Sequence, residues 1–403
     1  MRNIIIVISL FLIIGSKTMN GQANPKPADT SHAKPNEWYK KIALRGYTQI
    51  RYNRLLETNP NLKNDPLDKS WGSNTGLLIR RARLIFSGNV HERVYIYVQV
   101  DLANQVSSTI NTTHFVQIRD CYFDLALDNK KEFRIRFGQS KVPYGFENIQ
   151  SSQNRVTIDR SDAINSAAPN ERDLGLFAYW APAKVRERFA YLVSSGLKGS
   201  GDYGVIGFGI YNGQSSNKVE TNNNQHMLGH ITYPFLINKK QIIEIGAHAY
   251  KGIYTVSKNA KTKGATEVKD ERVCGSVTVY PQPFGFQAEY NIGRGPEFQS
   301  SDSSIKLKNL KGGYVQFMYM KTIKKQVFTP FVRYQIYDGG RKSETDARSY
   351  SIKDLEVGIE WQPIPNFELT ANYTVSDRRY QDYDKPYNFQ KGNLLRLQAQ
   401  FNF

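Results

Sequence analysis

Residues 132–148 read EFRIRFGQSKVPYGFEN, and the first half of this stretch is the clearest indication of the fold class. Apolar and basic side chains alternate there at successive positions: Phe133, Arg134, Ile135, Arg136 and Phe137. Alternation with a period of two predicts a β-strand that has one apolar face and one basic face. Such a strand needs lipid or a core on one side, and water or negative partners on the other.

The same alternation recurs along the chain from residue 42 onward, in segments about ten to fourteen residues long that are separated by polar breaks. This pattern is typical of an antiparallel transmembrane β-barrel over residues 41–403, and 25 tyrosines and 21 phenylalanines agree with it. We predict about sixteen strands: 42–54, 76–89, 92–104, 114–128, 131–141, 171–181, 203–213, 225–236, 240–254, 270–281, 283–293, 309–321, 326–338, 352–363, 366–376 and 391–403.

The two ends of the chain favour export to an outer membrane. Residues 1–23, MRNIIIVISLFLIIGSKTMNGQA, have the basic start, short apolar core and small residues of a secretory signal peptide. Residues 24–40 are rich in proline and lysine and are predicted to be a periplasmic lead-in. The chain ends in alternating apolar residues and a final Phe403, which resembles the C-terminal signal of Gram-negative outer-membrane proteins.

The connections between the predicted strands alternate between short and long, as periplasmic turns and extracellular loops do in such barrels. The exception is 182–202. It contains a further apolar segment, 187–197, but a seventeenth strand would break the even count of single-chain bacterial barrels, so we predict an elaborated turn. The two cysteines, Cys121 and Cys274, fall on opposite faces of distant strands, so no disulfide is expected.

Because an arginine that faces lipid at mid-depth costs about 2–4 kcal/mol, the arginines of the strands must face the lumen. The formal charge of the chain is +18, and rings of arginine or lysine are a common lining of anion pores. The predicted pore-lining and anion-binding residues are Arg45, Arg51, Arg81, Arg83, Arg93, Arg134, Arg136 and Arg333, with Arg396 beside them.

Each of these arginines could instead have a structural role, as one partner of an ion pair with a carboxylate on the same face. The candidate partners are Asp101, Asp120, Asp124 and Asp173. The second half of the chain places further acids on the inner face, which predicts a lumen that is basic on one wall and acidic on the other. These acids are Glu244, Glu289, Asp354, Glu356, Glu360 and Glu368.

Several stretches resemble the phosphate-selective porin O and P family of outer-membrane proteins. They are RRARLIFSG (80–88), IRDCYFDLAL (118–127), EFRIRFGQSKVPYGFENIQSS (132–152), DRSDAINSAAPNERDLG (159–175) and LKGSGDYG (197–204). The resemblance implies a sixteen-stranded barrel, usually a trimer, in which a long inward-folded loop forms the constriction. Here that loop is 142–170, and its candidate residues with those at its start are Lys141, Glu147, Arg155, Asp159, Arg160 and Asp162. Family members specialised for phosphate carry an arginine ladder and a lysine cluster; Arg134 and Arg136 match the ladder in kind, and the loop shows no lysine cluster.

The sequence therefore predicts a porin in the outer membrane of a Gram-negative bacterium, through which small hydrophilic, phosphate-like anions diffuse passively. Its expected partners are those solutes, membrane lipid and two further copies of the chain, and no cofactor, metal or nucleic acid is expected. The alternative is a closed or plugged barrel that acts as a structural or assembly partner. An enzyme is disfavoured, because the six histidines show no spacing typical of a catalytic site.

Overall fold

The computed structural model of the protein describes residues 37–60, 76–104, 114–384 and 388–403. The predicted signal peptide, 1–23, and most of the predicted lead-in, 24–40, lie outside these residues. The described chain starts with one turn of 3-10 helix, Trp38–Lys41, whose side chains are all exposed.

Strands make up most of the described chain. The segments, labelled β1 to β17 in chain order, are Ala43–Glu57, Gly76–His91, Val94–Asn104, Phe115–Ala126, Phe133–Lys141, Arg172–Trp180, Ile206–Tyr211, His226–Ile237, Gln241–Thr255, Glu267–Val279, Phe284–Gln299, Ser304–Tyr319, Lys321–Ile323, Gln326–Gly340, Ser349–Ile364, Phe367–Gln381 and Asn388–Asn402. The helices α1 to α3 are Phe146–Ile149, Asp162–Ala167 and Ala183–Ser194, and a second 3-10 turn is Thr345–Ala347. None of the described helices has the length and apolarity that crossing a membrane requires.

The sheet is antiparallel and closed, because β1 pairs with both β2 and β17. Segments β12 and β13 lie end to end beside β14, with which both pair. The seventeen segments therefore form a barrel of sixteen strands, and the prediction of a sixteen-stranded antiparallel barrel is confirmed. The apolar segment 187–197 lies mostly in helix α3 instead of a strand, as expected for an elaborated turn.

The two faces of the wall differ as the alternation predicts. Outward positions are apolar and exposed, such as Ile231 at 54% and Ile245 at 51%, whereas inward positions such as Gln49 and Arg51 are fully buried. Outside the barrel apolar side chains meet lipid, where an exposed charge would be costly. Cys121 is exposed, Cys274 is buried, and both are free thiols.

The lumen is largely filled by the connection between β5 and β6, residues 142–170, which folds inward. Its apolar side chains pack on the inner faces of β6 to β10, in a cluster of Val142, Tyr144, Ile164, Ala167, Phe177, Tyr179, Tyr211, Leu228, Tyr250 and Cys274. Ala163 of the same loop packs against tyrosines of β14 to β16. Apolar contacts therefore attach the loop to the wall from β6 to β16, and polar contacts attach it both to this wall and to β1 and β17.

Candidate pore lining and inward loop

The start of the inward loop is fixed by an acid on the opposite wall. Glu289, on β11, accepts hydrogen bonds from the backbone N–H groups of Phe146 at 2.8 Å and Glu147 at 2.7 Å. These are the first residues of α1, whose N–H groups have no partner within the helix. An acid that we assigned to the acidic wall therefore positions the loop.

A buried ion pair attaches the loop to β14. The Nη1 of Arg333 donates to Glu147 at 2.8 Å and to the hydroxyl of Thr157 at 2.9 Å. Arg333 is completely buried, and its Nε lies 3.9 Å from Glu356 on β15. Further along the loop, Asp162 pairs with Arg378 at 2.9 Å and with Arg341.

Asp159 is the third attachment point, and it is held by three guanidinium groups. Its carboxylate lies 2.8 Å from Arg51, 2.7 Å from Arg396 and 3.5 Å from Arg80. The Asp159 side chain is 18% exposed and that of Arg80 is 22% exposed. The barrel interior is therefore partly open to water between the tip of the loop and the wall of β1 and β2.

Further arginines of the predicted lining are also paired. Arg83 bonds Asp101 at 2.8 Å, Arg136 bonds both oxygens of Asp124 at 2.7 and 2.9 Å, and Arg134 bonds Asp202 at 2.7 Å. In the loop, Arg155 and Arg160 each lie 3.3 Å from Glu171. The ion-pair interpretation therefore holds for Arg83, Arg134 and Arg136, and the two loop arginines are paired as well. Asp173 instead accepts the backbone N–H groups of Leu174 and Ser215.

Two arginines that alternation places outside are turned inward by irregular pairing. Gln49 of β1 lies opposite Arg81 while Ile50 lies opposite Ile79, so Arg80 is an extra residue in β2. Likewise Gln99 lies opposite Asp120 while Val100 lies opposite Ile118, so Arg119 is extra in β4. Such β-bulges re-aim side chains, and here each adds one cation to the interior.

Three buried cations on this side have no carboxylate within 4.0 Å in the described part of the chain. Arg81 donates to the side-chain oxygen of Gln49 at 2.6 Å. Arg119 donates to the backbone carbonyl of Asn170 at 2.9 Å. Lys141 donates to the carbonyls of Gln150 at 2.6 Å and Ile149 at 3.3 Å. We name Arg81, Arg119 and Lys141 the cation triad.

The triad lies in a wider field of positive charge. Arg81 is within electrostatic reach of Arg80, Arg83 and Arg155. Lys141 is within reach of Arg155 and Arg172, and also of the carboxylates of Glu171 and Asp120. The side chains of the triad are 5–8% exposed, so little water screens them. Burying a cation costs desolvation free energy, and without a counter-ion this cost is not repaid. An anion that enters the site would offset part of it through its attraction to the cation.

Two predicted lining residues have different surroundings from the rest. Arg93 was expected to face the lumen from the third strand, but the strand begins at Val94, and the exposed Arg93 lies in the turn and bonds Asn129 at 2.6 Å. This expectation was wrong because Glu92 and Arg93 are needed to close the short turn. Arg45 lies near the end of the barrel that holds the termini, exposed, with its guanidinium 5.8 Å from the ring of Tyr97.

A second segment crosses the interior, and its contacts could not be predicted from the sequence. It follows α3 and spans 197–204. Lys198 bonds Glu360 on β15 at 2.5 Å, and its carbonyl accepts the side-chain amide of Gln150 at 2.6 Å. The inward loop therefore rests on this segment. The remaining acids of the predicted acidic wall are largely partnered, for instance Glu356 by Arg396 at 3.1 Å.

Asp159 makes the attachment of the loop tip insensitive to pH near neutrality. Burial alone would raise the pKa of Asp159, but Arg51, Arg80 and Arg396 hold it well below its usual range. A carboxyl group with a depressed pKa stabilises the fold at pH values above its unfolded pKa, about 3.9, and this stabilisation is lost as the pH falls through the folded pKa.

We therefore expect Asp159→Asn to lower the free energy of unfolding of the barrel by about 3 kcal/mol, with the same difference from wild type at every pH between 8 and 5 and a smaller difference below pH 4. The measurement is thermal unfolding in detergent at several pH values. A difference that stays small and does not change as the pH falls from 5 to 3 would show that Asp159 has a nearly ordinary pKa in the folded barrel and that the three arginines do not hold it.

In the described residues, no group of three or more His, Cys, Asp or Glu side chains could hold a metal ion. His226, His230 and His248 are buried on the inner face, where the rings of His230 and His248 stack with centroids 5.6 Å apart. These histidines pack against the rings of Tyr211, Tyr179 and Tyr144.

The sequence matches the family described as phosphate-selective porin O and P over residues 63–403. No curated protein sequence matches it.

Solved structures of outer-membrane proteins share the fold. The channel DcaP of Acinetobacter baumannii aligns over 90% of this chain and 97% of its own, with a TM-score of 0.53 and 14% identity. OmpF of Salmonella typhi, solved with daunomycin, aligns over the same shares with a TM-score of 0.54 and 11% identity. OmpT of Vibrio cholerae, in a trimer form, covers 90% and 99% with a TM-score of 0.51 and 9% identity. At these identities the likeness shows the barrel fold alone.

Proposed function

The chain belongs to the phosphate-selective porin O and P family, an outer-membrane porin family, and from this premise we propose that it conducts small hydrophilic anions of phosphate-like size by passive diffusion. The cation triad carries the proposal. Buried cations without a carboxylate within 4.0 Å lie on the same side of the interior as the partly exposed Arg80, and this positive charge supports an anion path there. Anions that enter this path replace lost hydration with guanidinium and ammonium contacts.

The paired arginines have a different role in this proposal. Arg51, Arg333 and Arg396 hold the loop through Asp159 and Glu147, and Arg134 and Arg136 are neutralised by Asp202 and Asp124. They orient the loop and shape the path, while the triad and Arg80 attract the anion. The proposed mechanism is diffusion between weak sites and involves no chemical step.

The proposal also includes export and assembly. We propose that residues 1–23 are removed as a signal peptide and that 24–40 lie in the periplasm. The trimer form of OmpT, which shares the fold, supports a homotrimer in which each copy has its own path.

A plugged barrel is the second candidate, and the packing of the lumen favours it. Residues 142–170 and 197–204 both cross the interior and contact each other through Gln150 and Lys198. Purified protein in a planar bilayer separates the two candidates. Under a KCl gradient, a porin of the proposed kind gives an ion current whose reversal potential lies towards the equilibrium potential of chloride. Adding phosphate should lower the chloride current, because phosphate would occupy the same sites. Folded protein that inserts without conductance would favour the plugged barrel.

A further inference from the structure

The outer wall of the barrel has a groove over strands β7 to β12, which no part of the proposed anion path uses. Its volume is about 950 Å³, within the range of roughly 300–1,000 Å³ that ligand pockets occupy. A side chain built at Gly229 would meet no atom within 4 Å, so the groove is open there. The side chains of its outward-facing floor are apolar, and two of the residues, Gly229 and Ala249, are small. The floor consists of Phe208, Met227, Gly229, Ala249, Val273 and Ile292.

Basic side chains line the rim of this groove. Lys251 lies opposite Glu271, which in turn lies opposite Arg294, and Lys311 lies opposite Ile292 of the floor. Arg294 pairs with Glu271, but its side chain remains 54% exposed. Lys251 and Lys311 have no ion-pair partner in the described part of the chain. Further exposed lysines stand beyond the rim: Lys269, Lys306 and Lys308.

The position of these cations fixes the depth of the groove in the membrane. A lysine or arginine on the lipid face costs about 2–4 kcal/mol at the midplane and close to nothing at the interface. Lys251 is four residues from the end of β9 at Thr255, at the end of the barrel opposite the chain termini. Longer loops mark this end as extracellular. The rim therefore lies among the headgroups of the outer leaflet, and the floor lies in the hydrocarbon beneath them.

We infer that this groove binds an anionic, acylated lipid of the outer leaflet, with phosphate at Lys251, Arg294 and Lys311 and an acyl chain along Gly229, Ala249, Val273 and Ile292. The three cations of the rim outnumber its acid Glu271 and the exposed Asp338, which lies opposite Lys311 on β14, and this excess complements a phosphate group. The apolar floor excludes a free inorganic anion as the occupant, because such an ion would lose its hydration there without a partner.

The test uses the full-length purified barrel in detergent and bis-phosphorylated lipid A as the probe. Each cation close to an anionic lipid contributes about fivefold in affinity, so the triple variant Lys251→Ala/Arg294→Ala/Lys311→Ala should bind lipid A on the order of 100-fold more weakly. A second variant, Gly229→Leu/Ala249→Leu, fills the floor and should also lose lipid A while the barrel remains folded. Bound lipid is counted by native mass spectrometry, and affinity is measured by titration.

The matched control is Lys321→Ala/Lys324→Ala/Lys325→Ala, which removes the same charge from exposed positions at the other end of the barrel. This control should bind lipid A as wild type does. Equal binding by the control and the rim variant would overturn the inference. So would a rim variant that retains lipid A but loses its oligomeric state, because a second copy of the chain would then be the occupant of the groove.

Discussion

Replacing the cation triad by Arg81→Gln/Arg119→Gln/Lys141→Gln should abolish the preference of the channel for anions. Each buried cation is taken to contribute about 1 kcal/mol of attraction to an anion about 4 Å away, which is the value for bulk water and a lower bound for a buried site. Three such terms correspond to roughly 100-fold in anion occupancy. Screening by salt reduces this, so the ratio of anion to cation permeability should fall by about tenfold or more at an ionic strength of 0.15 M.

The measurement is the reversal potential in planar bilayers under a KCl gradient. The matched control, Arg93→Gln/Lys239→Gln/Lys240→Gln, removes the same charge from exposed turn residues and should leave the permeability ratio nearly unchanged. If the control changes selectivity as much as the triad variant does, the net charge of the barrel sets the selectivity and the triad has no special role.

The largest expected effect on stability is at Arg333. Arg333→Met leaves Glu147, itself only 2% exposed, without its main cationic partner, and removing one partner of a buried pair costs about 3–5 kcal/mol. We expect a lower midpoint of urea unfolding and cleavage of the 142–170 loop by protease in the folded barrel. Channel openings should also become larger and noisier, because the loop is no longer held against β14.

The control for this change is Arg294→Ala, which breaks an exposed ion pair with Glu271. Exposed pairs contribute about 0–1 kcal/mol, so its unfolding midpoint should be close to that of wild type. The double variant Glu147→Gln/Arg333→Met removes the unpaired buried charge and should recover part of the lost stability. No recovery in the double variant would mean that Arg333 acts mainly through Thr157, Glu356 or packing.

Alternation along the strands was enough to predict the barrel, its sixteen strands and the inward direction of Arg51, Arg83 and Arg136. Each of these follows from a period of two and the cost of a charge in lipid, which are local properties of sequence. Arg80 and Arg119 could not be predicted in this way, because a β-bulge changes the face of a residue and depends on the neighbouring strand. The consecutive arginines at 80 and 81 are the one signal of such a bulge in the sequence.

The carboxylate partners of the interior arginines and lysines also could not be predicted from the sequence. Which arginine meets Asp159 or Glu147 depends on how the inward loop crosses the lumen, over separations of more than a hundred residues. The pairing of Lys198 with Glu360 is of the same kind. Sequence patterns give the face of each strand residue, and the packing of the loops decides which of the cations remain unpaired.

The location of a bound anion inside the barrel tests the proposed anion path most directly. Crystals of the purified protein soaked in bromide and measured at the bromine absorption edge show bound anions as anomalous peaks. We expect peaks in contact with Arg81, Arg119 or Lys141, between the inward loop and the wall of β1 to β5. Peaks confined to the exposed lysines of the outer surface, with none beside the triad, would contradict the proposed anion path.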